Sequence, residues 1–172
     1  HRVGGVDHFA PVRGAVAPAS DQDDRGRSAS AAFEVDLAAA ADVDEAARWY
    51  REMLVSFPRD GEASRFQFLL AELLYDDSRF ADAAVEYDKA AYDYPTHPKS
   101  ADAAYTALLA RAQLEKRATA AELPAVQRAS IEAAQRFGQG FKGDPRVGPV
   151  LTQAAEKLFA LKDLPAAEKL AQ

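Results

Sequence analysis

Between Phe66 and Leu74 the apolar residues fall at Phe66, Leu69, Leu70, Leu73 and Leu74, the i, i+3, i+4, i+7 spacing of one helix face. A polar turn, Asp76 to Arg79, interrupts the pattern, which resumes with Phe80, Ala83, Ala84, Tyr87, Ala90, Ala91 and Tyr94. Pro95 ends it, because proline lacks an amide donor and restricts the residue before it. The stretch from Glu62 to Pro95 is therefore predicted to be a hairpin of two helices. Such a hairpin buries only one side of itself and needs neighbours.

The same device recurs on both sides. Ser28 or Ser30 can cap a helix over Ala31–Ala41, and the aspartates of the turn Asp42–Asp44 can cap the next, Glu45 to Phe57, which Pro58 stops. After a linker at Thr96, His97 and Pro98, Ser100 is placed as the cap of a helix running to about Lys116. A polar stretch, Lys116 to Glu122, leads to Pro124 in a first-turn position and a helix carrying Val126, Ala129, Ala133, Phe137 and Phe141. Gly138, Gly140 and Gly143 loosen its end, and Asp144 and Pro145 close it. Val147 to Leu161 is a seventh helix, and Leu164 begins an eighth with Pro165 in its first turn. His1 to Ser28, rich in Gly, Pro, Asp and Arg and without helical period, is expected to be a flexible arm. Phe9, Val12 and Val16 would also suit an extended segment docked on a neighbouring surface.

Composition narrows the class to all-α. Alanine is the commonest residue, β-branched residues thin out after Val55, and no alternating run has strand length. The net charge of -6 comes from carboxylates spread along the helices, which disfavours nucleic acid as a partner, since phosphate neutralisation needs clustered Lys and Arg. Without cysteine there is no disulfide, thiolate nucleophile or cysteine metal site, a fact that fits periplasm and cytoplasm equally. No apolar run approaches the roughly 20 residues that span a bilayer. The chain opens at His1 rather than at a methionine, so a processed or truncated chain is expected.

Eight helices in four hairpins form an internal repeat. The prolines that end them stand at Pro58, Pro95 and Pro145. The first interval is close to the period of about 34 residues of one helical-hairpin repeat; the second needs an insertion, placed at Lys116–Glu122. The central unit resembles the tetratricopeptide repeat (TPR) family at Leu70, Ala71, Leu74, Phe80, Ala83, Tyr87, Ala90 and Pro95, departing at Gln67, where that family prefers Trp. The unit before it keeps Ala46, Tyr50 and Pro58 but has Met53 at a position that is usually small. The unit after it keeps Tyr105, Leu108, Ala133 and Phe137, and the last shows Leu151, Ala154, Ala155, Leu158, Leu164, Ala167 and Ala171. The resemblance implies a right-handed α-solenoid of about four hairpins over residues 29–172, interrupted within the fourth. Its last helix is apolar at Leu164, Ala167 and Leu170 and uncapped, as in a fragment of a longer solenoid or an end buried in an oligomer. The run AAYDYPTHPKSADAAYTALLARAQLE is similar to bacterial cell-envelope members, of the outer-membrane assembly lipoprotein and Tol-Pal-associated types, and implies a periplasmic or outer-membrane-associated place.

No catalytic or metal constellation emerges. His1, His8 and His97 have no ligand partner at helical spacing, and His97 reads as an exposed loop residue. Asp76 and Asp77 are expected to bond local backbone amides in their turn. No nucleophile elbow, phosphate-cradling glycine loop or zinc-protease helix is present. No cofactor is implied. The resemblance instead implies a groove lined by the first helix of each repeat, whose free positions in the central unit are Arg65, Phe68, Glu72 and Tyr75. Phe68 and Tyr75 would anchor a peptide or helix of a partner protein, unless they pack on the next repeat. Phe68 and Glu72 stand where a clamp for chaperone tail carboxylates would need basic and amide residues, which argues against that ligand. The function expected is a non-catalytic interaction scaffold; alternatives are the helical accessory region of a larger envelope enzyme and a self-assembly module.

Overall fold

The computed structural model describes residues 42–171. The arm 1–28 and the helix expected at Ala31–Ala41 lie outside the described residues. Among the described residues the chain is all-helical, with α1 (Val43–Ser56), α2 (Ala63–Asp76), α3 (Phe80–Tyr92), α4 (Ser100–Arg117), α5 (Leu123–Gly140), α6 (Val147–Ala160) and α7 (Leu164–Ala171). Each helix packs chiefly on the one before it and the one after it, and the α3–α4 contact is the most extensive.

The stripes that define α2 and α3 in the sequence are the ones they bury. Phe66, Leu70, Ala71 and Leu74 of α2 and Ala83, Tyr87 and Ala90 of α3 are almost wholly enclosed. Alanine at positions 71, 83 and 90 removes the side-chain bulk between the helices, so Tyr87 can reach across to α2. There it meets Phe68 edge-on at 5.5 Å and Tyr75 at 6.4 Å. Edge-to-face pairs of this kind add roughly 0.5–1.5 kcal/mol each beyond the area they bury. At α1 the expected cap is present: the Asp44 N–H donates to Asp42 Oδ1 at 3.2 Å.

The α2–α3 turn is closed by main chain. Asp77, Ser78 and Arg79 N–H groups donate to the carbonyls of Leu73, Tyr75 and Leu74, with Ser78 at a φ of 63. Neither Asp76 nor Asp77 makes a side-chain hydrogen bond to a described residue, contrary to the local bonding expected of them. The α6–α7 turn repeats this geometry: Leu161, Lys162 and Asp163 N–H groups donate to Lys157, Phe159 and Leu158, and Lys162 has a φ of 63. The helices match as well, α6 and α2 both having 14 residues. The two hairpins thus run in one register, Ala63 onto Val147, Asp76 onto Ala160 and Phe80 onto Leu164.

Between them, α4 and α5 have 18 residues each, against 14 and 13 in α2 and α3. The longer repeat interval is therefore taken up chiefly by added helical turns and not by Lys116–Glu122. Gly138 and Gly140 lie inside α5 rather than loosening it. A Cβ on Gly138 would stand 3.1 Å from the Leu151 methyls, so this glycine lets α6 approach closely. The buried face of α5 is Ser130, Ile131, Ala134 and Phe137, leaving Ala129 exposed. Ala134 lies three residues before Phe137 and Ser130 four before that, and the apolar pattern passed over position 130 because it is a serine.

Two loop assignments also change. Ser100 is the first residue of α4, not its cap, and its Oγ accepts the His97 N–H at 3.0 Å. His97 is half-buried: its Nδ1 accepts from Lys99 N–H at 3.2 Å and its Nε2 lies 3.4 Å from the Ala90 carbonyl. At Gln67, where an indole was expected, a polar network fills the space. Gln67 Nε2 donates to Glu86 Oε2 at 2.5 Å, Tyr94 hydroxyl donates to Gln67 Oε1 at 3.2 Å, and Lys89 Nζ sits 2.9 Å from Glu86.

If the alanine contact sets the α2–α3 distance, Ala83→Leu should overpack it and cost about 1–3 kcal/mol in urea unfolding. An unchanged midpoint would show that the contact has slack.

Candidate functional site

The four positions expected to line a groove divide. Phe68, Glu72 and Tyr75 are half-buried on α2, and all three converge on Tyr87. Tyr87 donates its hydroxyl hydrogen to Glu72 Oε1. Burial first, and then this carboxylate, push the Tyr87 phenol far above its ordinary range. Tyr75 also packs edge-on against Phe80 at 5.0 Å. Arg65 is exposed and pairs with Glu62 at 3.1 Å, a turn away from the others. In the central unit this face is thus largely occupied by its own hairpin.

An open groove of about 990 Å³ lies instead between α4, α5 and α6. One wall is Tyr105, Leu108, Leu109 and Ala112; Ser130 and Ala134 form the floor; α6 supplies the other wall from Pro149 to Lys157. The register of the two matching hairpins carries Arg65, Phe68, Glu72 and Tyr75 onto Pro149, Thr152, Glu156 and Phe159. Pro149, Thr152 and Glu156 line the groove. The face expected in the central unit is the open one in the last unit.

Two ion pairs frame the groove. At one end Arg146, just before α6, lies 2.6 Å from Asp144 and 3.0 Å from Asp102 of α4, with its guanidinium stacked 4.7 Å from the Tyr105 ring. At the other, Lys157 Nζ donates to Glu115 Oε1 at 2.6 Å, joining α6 to α4 with both side chains mostly buried. The Arg146 side chain and its own backbone N–H both donate to Asp144 and hold that carboxyl down to about 2. The same bonds raise the Arg146 guanidinium.

Ser130 is the anomaly of the floor. It is 6% exposed, and its Oγ has no hydrogen-bond partner among the described residues. Among the described residues no group of three or more His, Cys, Asp or Glu side chains is placed to hold a metal ion. Chemically the groove offers apolar contact, two neutralised cations and, at Glu156, a carboxylate without an ion pair among the described residues.

No protein-family model matches the chain, and no curated protein does. The reading of the site therefore rests on its own geometry.

Two expectations follow. Ser130→Ala removes a buried hydroxyl that has no partner in the free chain, and alanine is the better helix former, so the free protein should gain about 1 kcal/mol in chemical unfolding. A loss of stability would mean that the hydroxyl is already satisfied. Asp144 has a folded value below the ordinary carboxylate value near 4, so its contribution is complete above that value and is lost as pH falls toward about 2. Melting temperatures of wild type and Asp144→Asn, taken from pH 5 to pH 2, should converge across this window; parallel curves would count against it.

Proposed function

We propose that this chain is a non-catalytic protein-interaction scaffold, built as a right-handed α-solenoid of TPR-like hairpins and working within a bacterial cell-envelope complex at the periplasmic or outer-membrane surface. The observation that carries the reading is the open α4–α5–α6 groove, on the α6 face equivalent to the one assigned to partner contact in the central unit. Chain-neighbour packing and the repeated turn geometry support the solenoid, because units stacked in series present an extended surface without needing a closed core. No described helix is long and apolar enough to cross a membrane. The envelope assignment rests on the resemblance of the Ala90–Glu115 run.

A second reading, self-assembly, is favoured by Phe159 and Leu164, 68% and 55% exposed at the α6–α7 turn. Their register equivalents, Tyr75 and Phe80, are covered by α4 through Ala110 and Leu114. Concentration-dependent light scattering that is abolished by Phe159→Ser would support this reading.

The scaffold is tested by a photo-crosslinking amino acid at Leu109, 41% exposed in the groove, with Val85, 51% exposed on α3, as the control position. In a bacterial envelope extract, Leu109 should yield discrete crosslinked proteins that Val85 does not. Equal products from both, or none, would sink the groove as a partner site.

A further inference from the structure

We propose that the α4–α5–α6 groove takes a basic amphipathic helix from a partner protein, with apolar side chains on Leu108, Leu109 and Val150 and a lysine or arginine on Glu156. This rests on the scaffold reading and adds the chemistry of the partner.

Shape sets the first constraint. The α4 wall runs from Tyr105 to Ala112 and the α6 wall from Pro149 to Lys157. At 1.5 Å per residue each is about 10–12 Å long, two turns of a helix. Leu109, Thr152, Gln153 and Glu156 are exposed along the rim, so the groove is open to solvent along its length. A long amphipathic segment suits that geometry better than an enclosed small molecule.

Charge sets the second. Three charged side chains line the groove: Arg146, Glu156 and Lys157. Arg146 already faces Asp144 and Asp102, and Lys157 already faces Glu115, so neither offers an unshared positive charge to an anion. Lys99, 3.4 Å from Asp102 and mostly exposed, adds one more pairing on the same carboxylate. Glu156 makes no ion pair among the described residues. The repeat register explains why. Its equivalent, Glu72, is engaged by the Tyr87 hydroxyl, and the position equivalent to Tyr87 is Ala171, which has no hydroxyl to give. A carboxylate that is quenched inside the central hairpin is left facing the groove in the last one.

The probe is a fluorescein-labelled 14-residue peptide with leucines on one helical face and lysines on the other, compared by anisotropy with a peptide of the same leucine spacing carrying glutamates. The lysine peptide should bind about tenfold more tightly than the glutamate one, and the difference should shrink with salt. Glu156→Lys should weaken the lysine peptide about fivefold and Leu109→Ser by a similar factor, both at exposed positions with helicity checked by circular dichroism. Glu132→Lys, an equal charge change at an exposed position of α5 outside the groove, is the control. If it weakens the lysine peptide as much as Glu156→Lys does, the attraction belongs to the net charge of the chain and the proposal is overturned. Glutamate-peptide binding as tight as that of the lysine peptide, or no binding of either, overturns it too. The scaffold reading fails separately, on the absence of Leu109 crosslinks.

Discussion

Tyr87 is the constraint on which both the packing and the available surface depend. It is fully enclosed, and its ring can enter only because Ala71, Ala83 and Ala90 keep the neighbouring backbones close. A buried phenol must place its hydroxyl hydrogen on an acceptor or lose about 1–3 kcal/mol, and Glu72 on the adjacent helix is that acceptor. Once Tyr87 is seated, Phe68, Glu72 and Tyr75 are turned toward it. The chemistry of that face is used for folding. Where the register reaches Ala171 instead, the equivalent carboxylate and aromatic stay outside, and this is why the open groove lies toward the last hairpin.

Most of the fold was legible because it is written in period. The stripe Phe66, Leu70 and Leu74 and the stripe Phe80, Ala83, Tyr87 and Ala90 are buried as the spacing predicts, and the Asp42 cap stands where its side chain and position demand. The misses are polar residues, which an apolar period does not place: the Ser100 Oγ accepts the His97 N–H within the turn, His97 lies against the Ala90 carbonyl, and Ser130 is buried on α5. Gly138 read as a helix breaker because its value lies in the absent Cβ facing Leu151 on the following helix. For the candidate site, the sequence pattern reached the α2 face, which Tyr87 occupies, and not the α4–α5–α6 groove. The helix bounds place Glu72 and Glu156 at equivalent positions, and a tyrosine reaches only the first. The one available signal was the replacement of Tyr87 by Ala171 in the same register.

Packing between chain neighbours has a further consequence at the ends of the series. In such an array each hairpin draws its stability from the helix that follows it as well as from its own pair. Phe80 is covered by Ala110 of α4, and Arg117 sets its guanidinium 4.4 Å from the ring while reaching the Ser78 carbonyl at 3.3 Å. The corresponding Leu164 has no such lid among the described residues and stands exposed.

The groove itself is held open by interactions that bypass the helical hairpins. Arg146 clamps the α5–α6 corner to α4 through Asp102 and stacks on Tyr105, while Lys157 reaches Glu115 at the far end of the same wall. Both pairs are poor sources of net stability, because desolvation offsets most of the Coulomb gain. Their geometric effect is larger. With α6 tied to α4 at two points, the spacing of the two walls is fixed in the free chain, so the proposed partner helix would meet a surface already shaped and lose less conformational freedom in binding. That division of labour accounts for the arrangement of charge: the cations at the two ends are committed to fixing the spacing of the walls, and of the charged side chains lining the groove Glu156 is left for the proposed recognition.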